Sequence, residues 1–324
     1  DHGSPPSSHR LHTPPVTDVR RYVFALAPLA AAALWGGMYV VSKWSFASIP
    51  PLTLGFLRVA IGAAVLLAVL GLGDGRSTVD RADWPTFVAL GGWVTLTNAT
   101  QFVGTELTTA SEASLLTVLT PVATVFLGAV VLGERVTPAK AAGIGIALAG
   151  TVAVVAGQYD LAAVGAGSLV GVVLLLAASV TWAAYTVQGV RVVRRYSALT
   201  AATYATVASV PMLGALSAVE LADTPGGLAS LPTDGTSVLA VLYLGVAATA
   251  TAWYLWYKRL EYVPAGTISV FFFAQPVVGA ALGGALLGET LGPGFAVGGA
   301  LMALGIWVVS RERAEEGEEE SATA

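Results

Sequence analysis

The sequence predicts an all-α integral membrane protein with ten transmembrane helices, built as two inverted five-helix repeats. Three observations lead to this prediction: the composition, the placement of Lys and Arg, and an apolar phrase that occurs twice. Hydrophobic residues make up 55% of the 324 residues and charged residues 11%, whereas a soluble domain is usually about 45–50% apolar and about 25% charged. So few polar residues could not cover a soluble fold of this size, and the lipid bilayer is therefore the expected solvent.

Ten apolar runs are each long enough to form a spanning helix, which needs about 20 mainly apolar residues. Helices are expected because hydrocarbon offers the backbone no hydrogen-bonding partner, and the runs lack the alternation of a β-barrel strand. The breaks "SIPP" at 48–51 and "GDGRSTVDRAD" at 73–83 carry typical loop residues. In the first half the predicted spans are 22–43, 52–72, 84–103, 110–131 and 138–156.

The second half follows the same plan, with breaks at "TPGG" (224–227) and "LPTDG" (231–235). Residues 1–21 are rich in Pro, Ser and His, and residues 311–324 form an acidic run. Both ends of the chain are therefore predicted to be disordered. The predicted spans of this half are 167–189, 198–220, 236–257, 265–287 and 292–310.

Lys and Arg set the predicted orientation, because cytoplasmic loops carry an excess of both residues. With a cytoplasmic amino terminus, fourteen of the sixteen Lys and Arg fall on the cytoplasmic side and the outer loops hold none. The two others are Lys43, at the outer end of helix 1, and Arg58, within helix 2. We therefore expect a multi-pass protein of the cell membrane (plasma or inner membrane) with both termini in the cytoplasm.

The repeated phrase divides the chain in two. The stretch "SLLTVLTPVATVFLGAVVLGE" from 114 to 134 aligns without a gap with "SVFFFAQPVVGAALGGALLGE" from 269 to 289, a shift of 155 residues. Earlier in the halves the shift is 147, which pairs Trp35 with Trp182. The repeats are taken as 22–156 and 157–310.

Five helices per repeat is an odd number, so the two repeats enter the membrane from opposite sides. Inverted repeats are the architecture of many secondary transporters, whose substrate site lies between the two halves. The sequence therefore favours transport by alternating access. The alternative interpretation is an old duplication retained for stability alone.

Three segments resemble the drug/metabolite transporter superfamily, in its EamA-type, ten-helix branch. They are "LWGGMYVVSKWSFASIPPLTLGFLR" (34–58), "TELTTASEASLLTVLTPVATVFLGAVVLGERVTPAKAAGIGIALAGTVAVV" (105–155) and "LEYVPAGTISVFFFAQPVVGAALGGALLGETLGPGFAVGGALMALGIWVVS" (260–310). The resemblance implies that helices 1–4 and 6–9 surround a central cavity, that helices 5 and 10 are peripheral, and that the protein exports a metabolite, often an amino acid. One departure is that "GFLRVA" becomes "ATYATV" in the second half. Arg58 therefore has no symmetry mate, and the substrate site is not expected to be fully symmetric.

Arg58 is the sharpest single candidate, because a charged side chain within a span usually faces a cavity or a partner. It lies about 9 Å along helix 2 from Leu52, so snorkelling to the outer interface is the alternative. In a cavity its guanidinium would suit a carboxylate, which it can bind through paired hydrogen bonds. Lys43 lies nearer the surface, where an interfacial anchor is expected.

Helix 3 carries the polar stretch "TLTNATQ", in which Thr97, Asn98 and Gln101 share one face. Amides in hydrocarbon need partners, and both substrate contacts and hydrogen bonds between helices would supply them. Asn98 and Gln101 are therefore candidate substrate ligands.

Two prolines lie at equivalent depths, each preceded by a polar residue. Thr120 precedes Pro121 in helix 4, and Gln275 precedes Pro276 in helix 9. Proline removes one helical hydrogen bond and frees a carbonyl, so we predict hinges at Pro121 and Pro276 and substrate contacts at Thr120 and Gln275. A static packing kink is the alternative.

Aromatic residues supply the remaining candidates. Tyr39, Trp182 and Tyr185 are predicted to face the cavity, with packing or lipid contact as the alternative. The aromatic residues near the inner end of helix 8 fit an interfacial belt instead; they are Trp253, Trp256 and Tyr257. Glu134 and Glu289 end their helices in short loops, where a solvated or capping role is expected.

Catalysis is not predicted. The chain has no Cys, its three histidines all lie in the first 12 residues, and no H-E-x-x-H or G-x-S-x-G motif occurs. No catalytic residue, metal site or cofactor is therefore expected. The expected partners are a small-molecule substrate and the lipid bilayer, without nucleic acid, and a homodimer is left open.

The predicted function is a secondary transporter that exports an amino acid or a related carboxylate. Arg58 favours a carboxylate, and the aromatic candidates favour an apolar or aromatic body. The alternatives are an exporter of another metabolite or drug class and, with less support, a membrane channel or receptor. Export against import, and proton coupling against facilitated exchange, stay open.

Overall fold

The computed structural model describes residues 19–72, 79–108, 113, 116–158, 169–287 and 293–323. Helices and short connections make up this part of the chain, which contains no β-strand. The predicted all-helical class is therefore confirmed.

The described part of the first half contains five helices. The first, α1, includes Pro28, and the fourth, α4, combines 3₁₀, α-helical and π-helical segments. The half consists of α1 (Val19–Ser45), α2 (Pro51–Leu72), α3 (Trp84–Leu107, after a 3₁₀ turn at Arg81–Asp83), α4 (3₁₀ turn Thr117–Leu119, α-helix Thr120–Leu127, π-helical turn Gly128–Leu132) and α5 (Pro138–Gln158). The beginning of the predicted fourth span lies partly outside the described residues.

The second half repeats this order, and two of its helices, α8 and α9, contain irregular turns. It consists of α6 (Leu169–Arg195), α7 (Ala198–Asp223, followed by a 3₁₀ turn at Gly227–Ser230), α8 (Gly235–Leu260, π-helical over Tyr243–Thr251), α9 (Ala265–Ser269, 3₁₀ turn Val270–Phe273, Ala274–Leu287) and α10 (Pro293–Thr323).

Five helices of the described ranges are long and apolar enough to cross a membrane. These are Ala25–Ser45, Pro51–Leu72, Leu169–Arg195, Ala198–Asp223 and Gly235–Leu260, and shorter apolar helices cover Thr120–Leu132 and Ala265–Gly279. The helix Trp84–Leu107 has 24 residues, but its polar stretch "TLTNATQ" lowers its mean hydropathy.

The predicted disordered ends are corrected at the carboxyl side. Helix α10 continues without a break through the acidic run to Thr323. Glu, Ala and Arg are strong helix formers, so this run extends the helix that precedes it. Residues 1–18 of the predicted leader lie outside the described part of the chain.

Helices α5 and α10 pack against each other through glycines at equivalent positions of the two repeats. A Cβ on Gly143 would lie 2.8 Å from the carbonyl oxygen of Gly305, and one on Gly150 would lie 2.6 Å from that of Gly298. Small residues allow such close contact between backbones in a membrane. The pair has its own apolar cluster with α9, separate from the main core, so α5 and α10 lie beside the bundle that contains the cavity.

Carboxylates from one helix end cap the amino terminus of another helix. Glu134, just after α4, accepts hydrogen bonds from the backbone N–H groups of Ala265 (2.8 Å) and Gly266 (3.0 Å) at the start of α9. Glu220 of α7 accepts the N–H groups of Leu52 and Thr53 at the start of α2. Such caps satisfy N–H groups that lack a partner within the helix. The expected capping role of Glu134 is therefore confirmed, whereas Glu289 lies outside the described residues.

Two further helix ends are held in the same way. Glu261 accepts the N–H of Ala198 at the start of α7 at 2.7 Å. The ammonium of Lys43 donates to the carbonyls of Thr105, Glu106 and Thr108 at the end of α3, at 2.7–3.1 Å. A cation at a helix carboxyl terminus is favourable, so Lys43 joins α1 to α3 as well as lying near the predicted interface.

Candidate functional site

A partly open cavity lies between the two halves, with about 430 Å³ of empty space when the solvent at its mouth is included. Helices α1, α2, α3, α4, α6, α8 and α9 contribute to it. Its lining residues are Trp35, Met38, Tyr39, Arg58, Thr97, Asn98, Gln101, Thr117, Thr120, Ala178, Trp182, Trp253, Phe272 and Gln275.

Seven of the eight predicted substrate ligands line this cavity. They are Tyr39, Arg58, Asn98, Gln101, Thr120, Trp182 and Gln275. Tyr185 does not: it is fully buried and stacks on Tyr257 with ring centroids 5.0 Å apart. Three residues along a helix rotate a side chain by about 60°, and this rotation turns Tyr185 away from the cavity beside Trp182 and towards α8.

Arg58 is buried, with 2% of its surface exposed, so it lines the cavity and does not snorkel. Its guanidinium donates to Thr249 Oγ1 at 2.9 Å and to the carbonyl of Ala248 at 3.2 Å, and it contacts Met38 Sδ at 2.7 Å. The rings of Phe102 and Trp253 lie 5.3 and 5.9 Å from its central carbon. Among the described residues it has no carboxylate partner.

The π-helical turn of α8 presents these acceptors to Arg58. The wider turn leaves the carbonyl of Ala248 free to accept both Arg58 and the indole N–H of Trp35, the latter at 2.9 Å. Thr249 donates to the carbonyl five residues earlier, that of Leu244. π-Helical turns are rare and often occur at functional sites.

Close packing brings α2 against this turn. A Cβ on Gly62 would lie 2.5 Å from Thr249 Cγ2, and one on Gly245 would lie 2.6 Å from Ile61 Cγ2. The two glycines therefore allow the contact between α2 and α8 that places Arg58 beside Ala248 and Thr249.

A chain of hydrogen bonds joins three helices in the cavity wall. The Tyr39 hydroxyl is 2.8 Å from Thr117 Oγ1 and accepts the Gln101 side-chain amide at 2.9 Å. It links α1, α3 and α4. The bond between helices expected of Gln101 is therefore present, and its contact with a substrate stays a prediction.

Within the part of the chain that the structure describes, three fully buried polar atoms of the cavity wall have no hydrogen-bond partner: Asn98 Oδ1, Trp182 Nε1 and Gln275 Nε2. Their residues are 2%, 7% and 4% exposed. Most buried polar atoms in proteins are paired, and leaving one unpaired costs about 1–3 kcal/mol. Unpaired atoms of three different helices in one cavity are therefore the pattern expected of a ligand site.

Aromatic rings form a second part of the cavity wall. Trp35 stacks on Phe272 with centroids 5.2 Å apart and meets Trp182 edge to face at 5.2 Å. Trp253 packs on Trp182 at 5.8 Å, and Trp256 lies behind Trp35 and Phe272. This wall offers flat apolar surface next to the polar groups.

The prediction that the α8 aromatics form an interfacial belt is wrong. Trp253, Trp256 and Tyr257 are at most 2% exposed and face the bundle. They were assigned by their depth in the membrane, but depth does not determine which way a helix face points.

Sequence reasoning missed several lining residues, and the repeat itself held a signal for some of them. Thr117 and Phe272 are equivalent at the shift of 155, as are Thr120 and Gln275, and all four line the cavity. Met38 carries no such signal, because an apolar residue in an apolar helix is not distinctive.

The two predicted hinge prolines share a local structure. A 3₁₀ turn ends just before each resumed α-helix, at Thr117–Leu119 before Pro121 and at Val270–Phe273 before Pro276. Short 3₁₀ stretches inside a helix often mark a hinge. Movement at these positions stays a prediction.

No carboxylate, histidine or cysteine is among the lining residues of the described cavity. The lining residues can bind and orient a small molecule through N–H and O–H donors, amide and hydroxyl acceptors and aromatic rings.

Known proteins resemble the chain in sequence and structure. The profile of the EamA-like transporter family matches residues 22–156 and again 169–311. An uncharacterized transporter of Archaeoglobus fulgidus is 29% identical over 280 residues, covering 86% of this chain and 95% of that protein. The aromatic amino acid exporter YddG of Ancylobacter novellus is 29% identical over 254 residues, covering 78% of this chain and 85% of that protein. A solved crystal structure with 25% identity has a TM-score of 0.71 and covers 91% of this chain and 98% of that one.

Proposed function

We propose that this chain, which belongs to the EamA-like transporter family, exports an amino acid or a related carboxylate across the cell membrane. Transport would proceed by alternating access between two inverted five-helix repeats. The matched relatives include a protein named as a transporter and one named as an aromatic amino acid exporter, which supports transport in general and this substrate class in particular.

The observation that carries the substrate class is the cation in the cavity wall. Arg58 is held by neutral acceptors and aromatic faces, not by a carboxylate of the described chain. A guanidinium has five N–H donors, and its described hydrogen bonds use three. The remaining donors and the uncompensated charge suit a carboxylate, which forms charge-assisted hydrogen bonds with arginine.

The aromatic wall supports an apolar body for the same substrate. Trp182 and Trp253 lie on α6 and α8 and line the cavity together with Phe272. Aromatic rings bury large apolar areas and hold flat or aliphatic groups well. A sugar phosphate would call for more cations, and an organic cation would call for an acidic group.

The proposed topology has ten spans with both termini in the cytoplasm. Helix ends that the Lys and Arg pattern assigns to one side of the membrane are joined in the structure. Glu134 meets the start of α9, both assigned to the inner side, and Glu220 meets the start of α2, both assigned to the outer side. These contacts support the inverted arrangement.

The test is counterflow in proteoliposomes that hold the full chain, with labelled amino acids, sugars and nucleosides. Arg58→Gln should reduce transport of a carboxylate substrate by about 10- to 150-fold, because a hydrogen bond to a charged group contributes about 1.5–3 kcal/mol. Arg58→Lys keeps the charge but loses the planar guanidinium, so its transport rate should lie between those of the wild type and of Arg58→Gln.

Arg195→Gln is the matched control. Arg195 is exposed and pairs with Asp80 and Asp83 outside the cavity, so its substitution should leave transport near the wild-type level. Equal transport by the wild type and a well-folded Arg58→Gln protein would contradict the proposed role of Arg58.

A further inference from the structure

We propose that the cavity binds both charged groups of an α-amino acid, and that Asn98 selects for the ammonium group. This inference rests on the proposed function and narrows it. It states that the substrate must carry an ammonium and a carboxylate together, and not a carboxylate alone.

The orientation of the Asn98 side chain identifies its free atom. Asn98 Nδ2 donates to the carbonyl of Val94 at 2.9 Å. A carbonyl can only accept, so this bond assigns nitrogen to that side of the amide and leaves Oδ1 as the atom without a partner. The free atom of Asn98 is therefore an acceptor, and its ligand must bring a donor.

Donor groups of three other residues face the same cavity. Trp182 Nε1 and Gln275 Nε2 are buried and unpartnered, and an indole N–H can only donate. Arg58 is likewise a donor without acceptor capacity. Trp182 and Arg58 therefore suit a group that only accepts hydrogen bonds, which is the property of a carboxylate, and the Gln275 amide can donate to the same group through Nε2.

Together these side chains fit a small molecule that carries one group that only accepts hydrogen bonds and one group that donates them. A zwitterionic amino acid carries both on adjacent atoms. A 2-keto acid of the same body would leave Asn98 Oδ1 unpaired, and the corresponding amine would leave the donors of Arg58, Trp182 and Gln275 without an acceptor while adding a second cation.

The experiment measures ligand-induced thermal stabilisation and counterflow of the full chain with two matched series. One is phenylalanine, phenylpyruvate and phenethylamine, and the other is leucine, its 2-keto acid and its decarboxylated amine. We expect an amino acid to bind at least ~10-fold more tightly than its keto acid and its amine, because each analogue leaves buried polar groups unpaired.

The outcomes separate this inference from the proposed function. If keto acid and amino acid bind alike while the amine does not, the selection of ammonium is wrong and the carboxylate exporter stands. If no carboxylate of either series binds or is transported, the proposed function itself is contradicted.

Two variants test Asn98 directly. Asn98→Leu should reduce the preference for amino acid over keto acid to about one, and a preference that persists in this protein would overturn the inference. Asn98→Asp keeps an acceptor of the same shape, so it should retain or increase that preference and keeps the test valid if the leucine variant misfolds.

Thr100→Val is the matched control. Thr100 lies two residues further along α3, and its hydroxyl also bonds a carbonyl four residues back, that of Leu96, but it does not line the cavity. The Thr100→Val protein should prefer the amino acid over the keto acid as strongly as the wild type does. A loss of that preference in Thr100→Val would show that the effect of substituting Asn98 is a general disturbance of α3.

Discussion

Arg58 is stabilised in the bundle by groups that carry no opposite charge. The hydroxyl of Thr249 and the carbonyl of Ala248 accept its hydrogen bonds, and the rings of Phe102 and Trp253 lie within about 6 Å, where cation–π attraction operates. Dipoles and ring faces lower the cost of burying the cation but do not cancel its charge. That charge therefore stays available to an incoming anion.

Tyr185 provides a test of which residues belong to the site. Tyr185→Phe keeps the ring that stacks on Tyr257 and lies outside the cavity lining, so transport should change less than twofold. Tyr185→Ala should lower stability by about 3–5 kcal/mol, as large aromatic deletions do. Transport is measured by counterflow and stability by thermal unfolding in detergent.

A large loss of transport in Tyr185→Phe, with unchanged unfolding, would contradict this placement and return the tyrosine to the site. Trp182→Phe serves as the comparison, because Trp182 lines the cavity and loses its unpaired Nε1 donor. We expect weaker transport in that variant.

At the scale of the helices, the sequence predicts the position of polar cavity residues better than the direction in which aromatic residues face. Arg58, Asn98 and Gln101 stand out because polar groups in an apolar span must meet a cavity or another helix. Tyr185 and Trp256 were misplaced because an aromatic residue fits a lipid interface, a packed core and a cavity wall equally well. Only the rotation of the helix decides among these environments.

The π-helical turn of α8 lay beyond prediction for a different reason. The sequence "YLGVAATAT" contains neither proline nor a charge to mark it, and the turn depends on contact with α2 through Gly62 and Gly245. Thr249 therefore gave no sign of its bond to Arg58. The acceptor of the central cation comes from tertiary packing, which no local pattern records.

Equivalent helices of the two repeats are joined by equivalent hydrogen bonds. Gln101 Nε2 donates to the Tyr39 hydroxyl at 2.9 Å, and Trp256 Nε1 donates to Thr186 Oγ1 at 3.3 Å. The repeat shifts of 155 and 147 relate Gln101 to Trp256 and Tyr39 to Thr186. With the proposed topology, one pair joins helices on the outer side of the site and the other on the inner side.

Removing the hydrogen bond between Gln101 and Tyr39 should favour the state in which the cavity is open to the outside. The chain has no cysteine, so Ala178→Cys, in the cavity wall, would carry the sole thiol of that protein. Adding Gln101→Leu should raise its labelling by an impermeant thiol reagent from outside several-fold, and adding Thr186→Val should not. Equal outside labelling of all three proteins would show that the Gln101–Tyr39 pair does not restrict access.

At the scale of the whole molecule, the inverted arrangement makes a prediction about sidedness. A reporter fused after Asp160 should lie outside the cell and one fused after Arg195 inside, because a single predicted span separates the two positions. Alkaline phosphatase and green fluorescent protein fusions report the two compartments. Detection of both reporters on one side would contradict the single span predicted between them, and with it the odd number of helices per repeat on which the inverted arrangement depends.

The uncompensated charge of Arg58 also gives the protein an electrical property. A cation reached alternately from the two sides experiences the outer potential in one state and the inner potential in the other, and one full charge moved through 100 mV corresponds to about 2.3 kcal/mol. A bound carboxylate without an ammonium would cancel that charge, whereas a zwitterion would leave it in place. Empty and zwitterion-loaded proteins would then respond alike to voltage, and because the arginine returns to its starting point in each cycle, voltage would alter the speed of amino acid export without producing a steady current.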